Sequence, residues 1–170
     1  SASVAHRGSR VAVNLAGVEA DAVARGGALV RQSELPAVQA FDARVTLLAS
    51  VERPLARRSR QLLGIGTDAV DCVVTLLGVD EVRPGESALA QVRVRRPIAA
   101  MPQQRFVLRG TQAQPGRGAT LGGGVVLTLN PRRKRRETAQ RLQAFETAEP
   151  LLRAQWLIEE SGYAGLGEAE

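Results

Sequence analysis

Three consecutive glycines, Gly122, Gly123 and Gly124, stand near the start of the apolar run Thr120-Leu-Gly-Gly-Gly-Val-Val126 and constrain this chain more than any other stretch. In an extended strand rising roughly 3.3 Å per residue, they strip side chains from about 10 Å of backbone. Something must then come close, either another backbone or the phosphate of a nucleic acid. The preceding Arg105-Phe-Val-Leu-Arg109 reads as a second strand carrying Arg105 and Arg109, with a Gly/Gln/Pro-rich loop between the two. Two readings follow. Either the glycines open a β surface on which these arginines meet an anion, or they mark a bulge or barrel corner.

Short runs of period two recur along the chain. Phe41, Ala43, Val45 and Leu47 alternate with Asp42, Arg44 and Thr46, and Val92 and Val94 alternate with Gln91, Arg93 and Arg95. Residues 61–65, 106–108 and 125–129 add further strands, and the nearly continuous apolar run from Val70 to Leu77 suits a strand covered on both sides. Pro36, Pro54, Pro84-Gly85, Pro97 and Pro102 fall between these runs as punctuation. The pattern predicts a mainly β fold, a small antiparallel β-barrel or sandwich.

Residues 1–32 and 132–170 read differently. Arg10 to Leu15 alternates as a half-buried strand and Ala28 to Val30 forms a short second one, too little for an independent unit. Residues 1–32 therefore read as the end of a truncated domain and 33–131 as a complete barrel. The chain starts at Ser1 with no initiator Met, as an excised piece would. After Pro131 the apolar spacing turns helical: Leu142, Phe145, Leu151, Leu152, Trp156 and Leu157 predict helices over 137–147 and 150–161, with Pro150 in a first turn and Gly162 as a stop. Trp156 reads as core of this helix pair. Residues 132–170 are thus a basic linker followed by helices.

The chain is 44% hydrophobic but only 3% aromatic, so its core must be aliphatic. Its basic residues are 22 Arg and one Lys. Residues 1–136 carry 21 basic and 10 acidic side chains, and residues 137–170 carry 2 and 7. A basic body with an acidic tail points to two units with different partners, the body suited to a polyanion such as RNA.

Several chemistries are missing. No G-x-x-x-x-G-K-[ST] loop occurs, which leaves no nucleotide cofactor site in this stretch. One histidine (His6) and one cysteine (Cys72) cannot build a zinc site or a hydrolase triad, and one cysteine forms no intrachain disulfide. Cys72 lies in an apolar run as a core residue. No apolar run has transmembrane length, and no signal-peptide core is visible, so no membrane partner is expected and the location reads as cytoplasmic. The chain reads as no enzyme in itself, with no catalytic or metal residues.

Three basic groups remain: Arg57, Arg58 and Arg60 in a loop between strands; Arg93, Arg95 and Arg96 on a sheet edge; and Pro131-Arg-Arg-Lys-Arg-Arg136 between barrel and helices. The scarcity of aromatics argues against base stacking, leaving the backbone of double-stranded RNA as the fitting ligand. The bland reading is a solvated arginine surface.

The residues also resemble a known family. Arg10-Val-Ala-Val-Asn-Leu15-Ala-Gly17 is similar to the last strands of the second domain of translation GTPases. Phe41-Asp-Ala-Arg-Val45, Pro84-Gly85, Pro97-Ile98, Arg105-Phe-Val-Leu-Arg109 and the triple-glycine strand resemble the third domain of the factor that delivers aminoacyl-tRNA. Gly66-Thr67 leading into Val70–Gly78, and the glycine strand continuing into Asn130-Pro-Arg-Arg-Lys-Arg-Arg136 and helices, resemble the bacterial selenocysteine-specific elongation factors (SelB). A histidine often precedes the Gly-Thr in that family; Leu63-Gly64-Ile65 stands there instead. The resemblance implies a domain-3 barrel followed by the start of a winged-helix region. Its partners would be selenocysteyl-tRNA, the GTPase domain of the same protein, the ribosome and, through domains beyond this stretch, a messenger-RNA hairpin. GTP and Mg would belong to the full-length protein. It implies that Thr120, Gly122, Gly123 and Gly124 approach the tRNA backbone, with Arg105, Arg109, Arg57, Arg58 and Arg60 adding charge. Arg10 and Asn14 would wall the aminoacyl pocket. The alternative is a barrel of another translation GTPase that docks protein and has little RNA affinity of its own.

Overall fold

The computed structural model describes residues 4, 6, 8–19, 22–30, 37–114, 118–129, 131 and 135–161. Strand β1 (Ala37–Leu47) is followed by β2 (Leu55–Ala56), β3 (Arg58–Ile65), β4 (Asp68–Leu76), β5 (Glu81–Val82), β6 (Ser87–Ala99), β7 (Arg105–Gln114) and β8 (Gly118–Leu129). Helices α1 (Arg135–Thr147) and α2 (Pro150–Ser161) follow. Six strands close an antiparallel barrel in the order β1-β6-β4-β3-β7-β8, and β2 pairs separately with β5.

Alternation decides what fills the barrel. Phe41, Ala43, Val45 and Leu47 of β1 meet Leu63, Val74, Val92, Phe106, Leu108 and Val126 from the other strands. Each Val, Leu or Phe among them contributes about 1.5–3 kcal/mol on full burial. Phe41 and Phe106 pack edge to face, their centroids 5.5 Å apart. The aliphatic composition is met by this core. Strand β4, expected to be covered on both sides, alternates instead: Ala69 and Asp71 are exposed while Val70, Cys72 and Val74 are buried. In a closed antiparallel barrel only one face of a strand meets the core.

The turns follow their residues. Arg83 accepts from the Glu86 amide at 2.9 Å across Pro84 and Gly85, and Gly85 has φ 85°. That is proline at the second and glycine at the third position of a type II turn. Between β3 and β4, Gly66 (φ 57°) takes the first central position of a two-residue hairpin, as a type II′ turn requires. Pro97 does not fall between runs as expected. It lies inside β6, beside the point where the β1–β6 register shifts between Val38 and Ala40, so its missing N–H falls where the ladder is already irregular.

Arg10 to Leu15 is not a strand. The segment is largely exposed, with Val11 and Val13 at 47% and 59%. Alternation yields a strand only where a neighbour supplies hydrogen bonds and a covering face, and no described strand pairs with it. Ala28 to Val30 is likewise unpaired. Gly17 (φ 75°) and Gly26 turn the chain, and the second turn is latched to the barrel. Arg25 Nε donates to Thr67 O at 3.2 Å, and Gly26 (φ 92°) leaves no room for a Cβ beside the Asp68 carboxyl group. Asp68, 8% exposed, is held bidentately by Arg96 and accepts from the Ala69 amide at 2.7 Å. This pairing raises the Arg96 guanidinium above its ordinary value. A side chain at position 26 would meet both left-handed strain and the carboxyl group. Gly26→Ala should therefore release the latch, raising the rate of limited proteolysis within residues 17–30 several-fold while the barrel's melting temperature holds. Unchanged cleavage would show that the turn is not latched.

Helix α1 lies against the outside of the barrel. Leu142 and Phe145 join Leu77, Leu89 of β6 and Leu127 of β8 in a second apolar cluster, with Ala139 and Trp156 packed on it. Arg44 of β1 forms a bidentate pair with Glu146, which raises the guanidinium against the opposing effect of burial. Pro150 opens α2 as expected, and Arg153 Nε bridges the corner to Ala148 O at 2.7 Å. The expected stop at Gly162 and residues 132–134 of the basic linker lie outside the described residues. Phe145 stacks on Trp156, the sole tryptophan, with centroids 6.1 Å apart. Phe145→Ala should remove about 3–5 kcal/mol of packing. Tryptophan emission should shift to the red while the β signal of circular dichroism stays. Unshifted emission would contradict the docking.

Candidate nucleic-acid interface

Helix α1 packs over β6, β1 and β8 and borders the end of β4 at Thr75 and Leu76, leaving the β3–β7 side open among the described residues. On that open side the pairing register brings distant arginines together. Arg60 of β3 stands opposite Val73 of β4, and Val73 opposite Arg93 of β6. One row along, Leu62 of β3 lies between Asp71 of β4 and Arg109 of β7, and Arg109 faces Thr120 of β8. Arg58 is opposite Thr75. With strands about 4.8 Å apart, the Arg60 and Arg93 backbones are about 10 Å from each other. Arg58, Arg60, Arg93, Arg95, Arg109 and Thr120 are all exposed.

Electrostatically these arginines are unspent. Among the described residues Arg58, Arg60, Arg93 and Arg109 form no ion pair. Arg95 has a loose contact with Asp71 at 3.8 Å, both side chains largely exposed, and such pairs contribute little. Clustered guanidinium groups repel one another and build a positive field, which a phosphate relieves through charge-assisted hydrogen bonds. A shallow groove of about 550 Å³ runs over Val73 between Arg60 and Arg93, with Asp71 and Arg95 at its side.

The other expected site residues are distributed elsewhere. Arg58 and Arg60 lie on β3 itself rather than in a loop. Arg57 precedes that strand and pairs with Asp80 at 3.1 Å, beside a separate groove lined by Gly78, Val79, Ala139 and Gln140. Arg105 is exposed at the far end of β7, opposite Val125. Strand β6 is no edge, being paired on both sides, and Arg96 is turned to Asp68. Arg10 and Asn14 stand exposed in the unpaired N-terminal segment.

The glycines lie in mid-strand, not at its start. A Cβ on Gly122 would strike the Thr46 carbonyl, on Gly123 the Phe106 carbonyl, and on Gly124 the Arg44 carbonyl and the Phe106 ring. The close approach that these glycines permit is thus made by the backbones of β1 and β7. Barrel closure is the physical reason for the triplet.

Sequence reasoning left Arg93 and Arg95 out of the site. Their alternation already turned both outward, but nothing in the order of the runs revealed that β4 would lie between β3 and β6.

Cys72 lines the groove floor from the core side, and burial pushes its thiol up to about 12. The folded state keeps a proton that the unfolded chain loses near pH 9. The contribution to stability is therefore complete below pH 9 and is lost as the pH rises toward 12. At pH 8 a thiol-specific reagent should label Cys72 only in denaturant; rapid labelling of the native chain would contradict its burial. Among the described residues no group of three or more His, Cys, Asp or Glu is placed to hold a metal ion, and no helix is long and apolar enough to cross a membrane.

The sequence model of the family described as selenocysteine-specific elongation factor, beta-barrel domain, matches residues 42–133. Over 175 aligned residues, covering the whole chain, the sequence is 33% identical to the selenocysteine-specific elongation factor of Desulfomicrobium baculatum. The chain spans about a quarter (26%) of the length of that relative.

Proposed function

The chain belongs to the selenocysteine-specific elongation factor family, and from that premise we propose that its barrel grips the backbone of a tRNA through the open arginine face. Arg58, Arg60 and Arg109 supply the charge, Thr120 a hydroxyl beside them, and the Gly122–Gly124 strand the closely packed support behind Thr120. Arg105 extends the reach along β7. The RNA is selenocysteyl-tRNA, brought to the ribosome by a whole protein whose GTP- and Mg-binding domain lies outside these residues. The docked helices α1 and α2 link the barrel to messenger-RNA-hairpin recognition. The chain's part is to hold and connect, not to catalyse.

The observation that carries this reading is the cluster of exposed arginines across β3 and β7 that form no ion pair among the described residues, on the side that α1 leaves open. The test is a titration of the 170-residue chain with selenocysteine tRNA and with an ordinary elongator tRNA at two salt concentrations. Contact with about four phosphates gives a slope of log affinity on log salt of roughly −3. Tighter binding of the selenocysteine tRNA would place part of the selection in this barrel. Equal, salt-sensitive binding leaves selection to other domains. Absence of binding at low salt would favour a barrel that docks protein.

A further inference from the structure

We propose that the groove over Val73 is a second phosphodiester site for duplex RNA, built around an Arg93 that is oriented before the RNA arrives; the proposal rests on the RNA-face reading above and extends it from β7 and β3 across to β6.

The orientation comes from a short relay on the outer side of the barrel. Asp42 of β1 is only 2% exposed although it lies on the outward row of its strand. It stands opposite Gln91 of β6 on one side and Thr128 of β8 on the other. Gln91 Nε2 donates to Asp42 Oδ1 at 3.3 Å, and Thr128 Oγ1 donates to Asp42 Oδ2 at 3.3 Å. The carboxylate accepts, so it fixes which end of the Gln91 amide faces it. The amide oxygen is thereby turned the other way, where it accepts from Arg93 Nε at 3.2 Å. With Nε committed, the guanidinium plane is set and its terminal amino groups remain for a ligand. Gln91 and Thr128 are each 5% exposed, so the relay is a buried support beneath an exposed cation.

The groove's chemistry matches a sugar–phosphate backbone. Arg93 and Arg60 flank an apolar floor at Val73, and Arg95 stands at the rim, its 3.8 Å contact with Asp71 loose enough to yield to a phosphate. Among the described residues no aromatic side chain lines the groove for base stacking, so the ligand is a backbone and its recognition is independent of sequence. A duplex presents phosphates at fixed spacing, and a pre-set guanidinium loses less freedom on meeting one.

The experiment measures binding of an RNA duplex of about 16 base pairs, a length suited to shape readers, to the 170-residue chain at several salt concentrations. Arg93→Ala should weaken binding about five- to tenfold and make the salt slope shallower by about 0.9. Gln91→Leu, which leaves every arginine in place, should weaken binding nearly as much. Combined with Arg93→Ala it should add nothing further, whereas Arg58→Ala should add its full effect to either. If the buried Gln91 variant fails to fold, Arg93→Ala with Arg95→Ala, both exposed, carries the test. Unchanged binding by these arginine variants while Arg58→Ala and Arg109→Ala still weaken it would overturn the groove and leave the face reading intact. No effect from any of the four would overturn the face itself. A Gln91→Leu chain that melts normally and binds as tightly as the parent would overturn the relay.

Discussion

Alanine at Gly122 is expected to unfold the barrel or to lower its melting temperature by more than about 10 °C. The added methyl would point at the Thr46 carbonyl, with the Leu47 Cα at 3.1 Å behind it. Both are main-chain atoms of β1, a strand paired on both sides, so neither can swing away as a side-chain tip would. Relief requires β1 and β8 to part where Leu47 opposes Gly122, the last pair of the ladder that closes the barrel. Overpacking a core costs about 1–3 kcal/mol where side chains yield, and the upper end or more is expected where backbone must move. About 3 kcal/mol is a large part of the stability of so small a domain, at 4–8 °C per kcal/mol. Gly64→Ala is the matched control. A Cβ there meets Val107 at 3.9–4.0 Å, an ordinary contact, and the change should be mild. Thermal melts of the two variants check the claim. Equal effects would mean that strand propensity, not closure, governs these glycines.

Replacing Arg58, Arg60 and Arg109 together by alanine should weaken tRNA binding about 100-fold at low salt. Charge-assisted hydrogen bonds contribute roughly 1.5–3 kcal/mol each, less where water competes, so about 1 kcal/mol per arginine is a fair expectation at this exposed face. The salt slope should flatten from about −3 to about −0.7, since four phosphate contacts carry roughly 0.7 to 0.8 of a unit each and about one remains. Stability should barely change, because these side chains form no ion pairs among the described residues. An alternative triple, Arg44, Arg57 and Arg83, removes the same charge but from side chains paired with Glu146, Asp80 and Glu81. If it weakened binding as much as the first, net charge rather than the face would be responsible.

The barrel was legible in the sequence because the period-two runs and their turn residues agree. Phe41 to Leu47, Pro84-Gly85 and Gly66-Thr67 each carry the local signal of what they form. The helices were legible from the changed period after Pro131 and from Pro150. Arg10 to Leu15 shows the limit of such signals. Its alternation is as good as that of β1, yet a strand is a property of a pair, and its sequence does not reveal whether a partner is present. The site was legible only in part. Outward-facing arginines could be picked from alternation, but Arg57 and Arg60 look equivalent in sequence and differ because Asp80 reaches only the first. The neighbourhood of Arg60 and Arg93 depends on a strand order, β3-β4-β6, that pairs segments out of simple succession. The glycine triplet was read correctly as a place of close approach. Local sequence did not say that the approaching backbones are β1 and β7.

The central claim is that RNA lies on the β3–β7 side of the barrel. The most direct measurement is the arginine Nε–Hε nuclear magnetic resonance spectrum of the 170-residue chain during titration with tRNA. Progressive shifts are expected at Arg58, Arg60 and Arg109, with Arg44 and Arg96 unmoved in their pairs with Glu146 and Asp68. Shifts centred on Arg44 and the helix-covered side, or none at all at saturating tRNA, would contradict it.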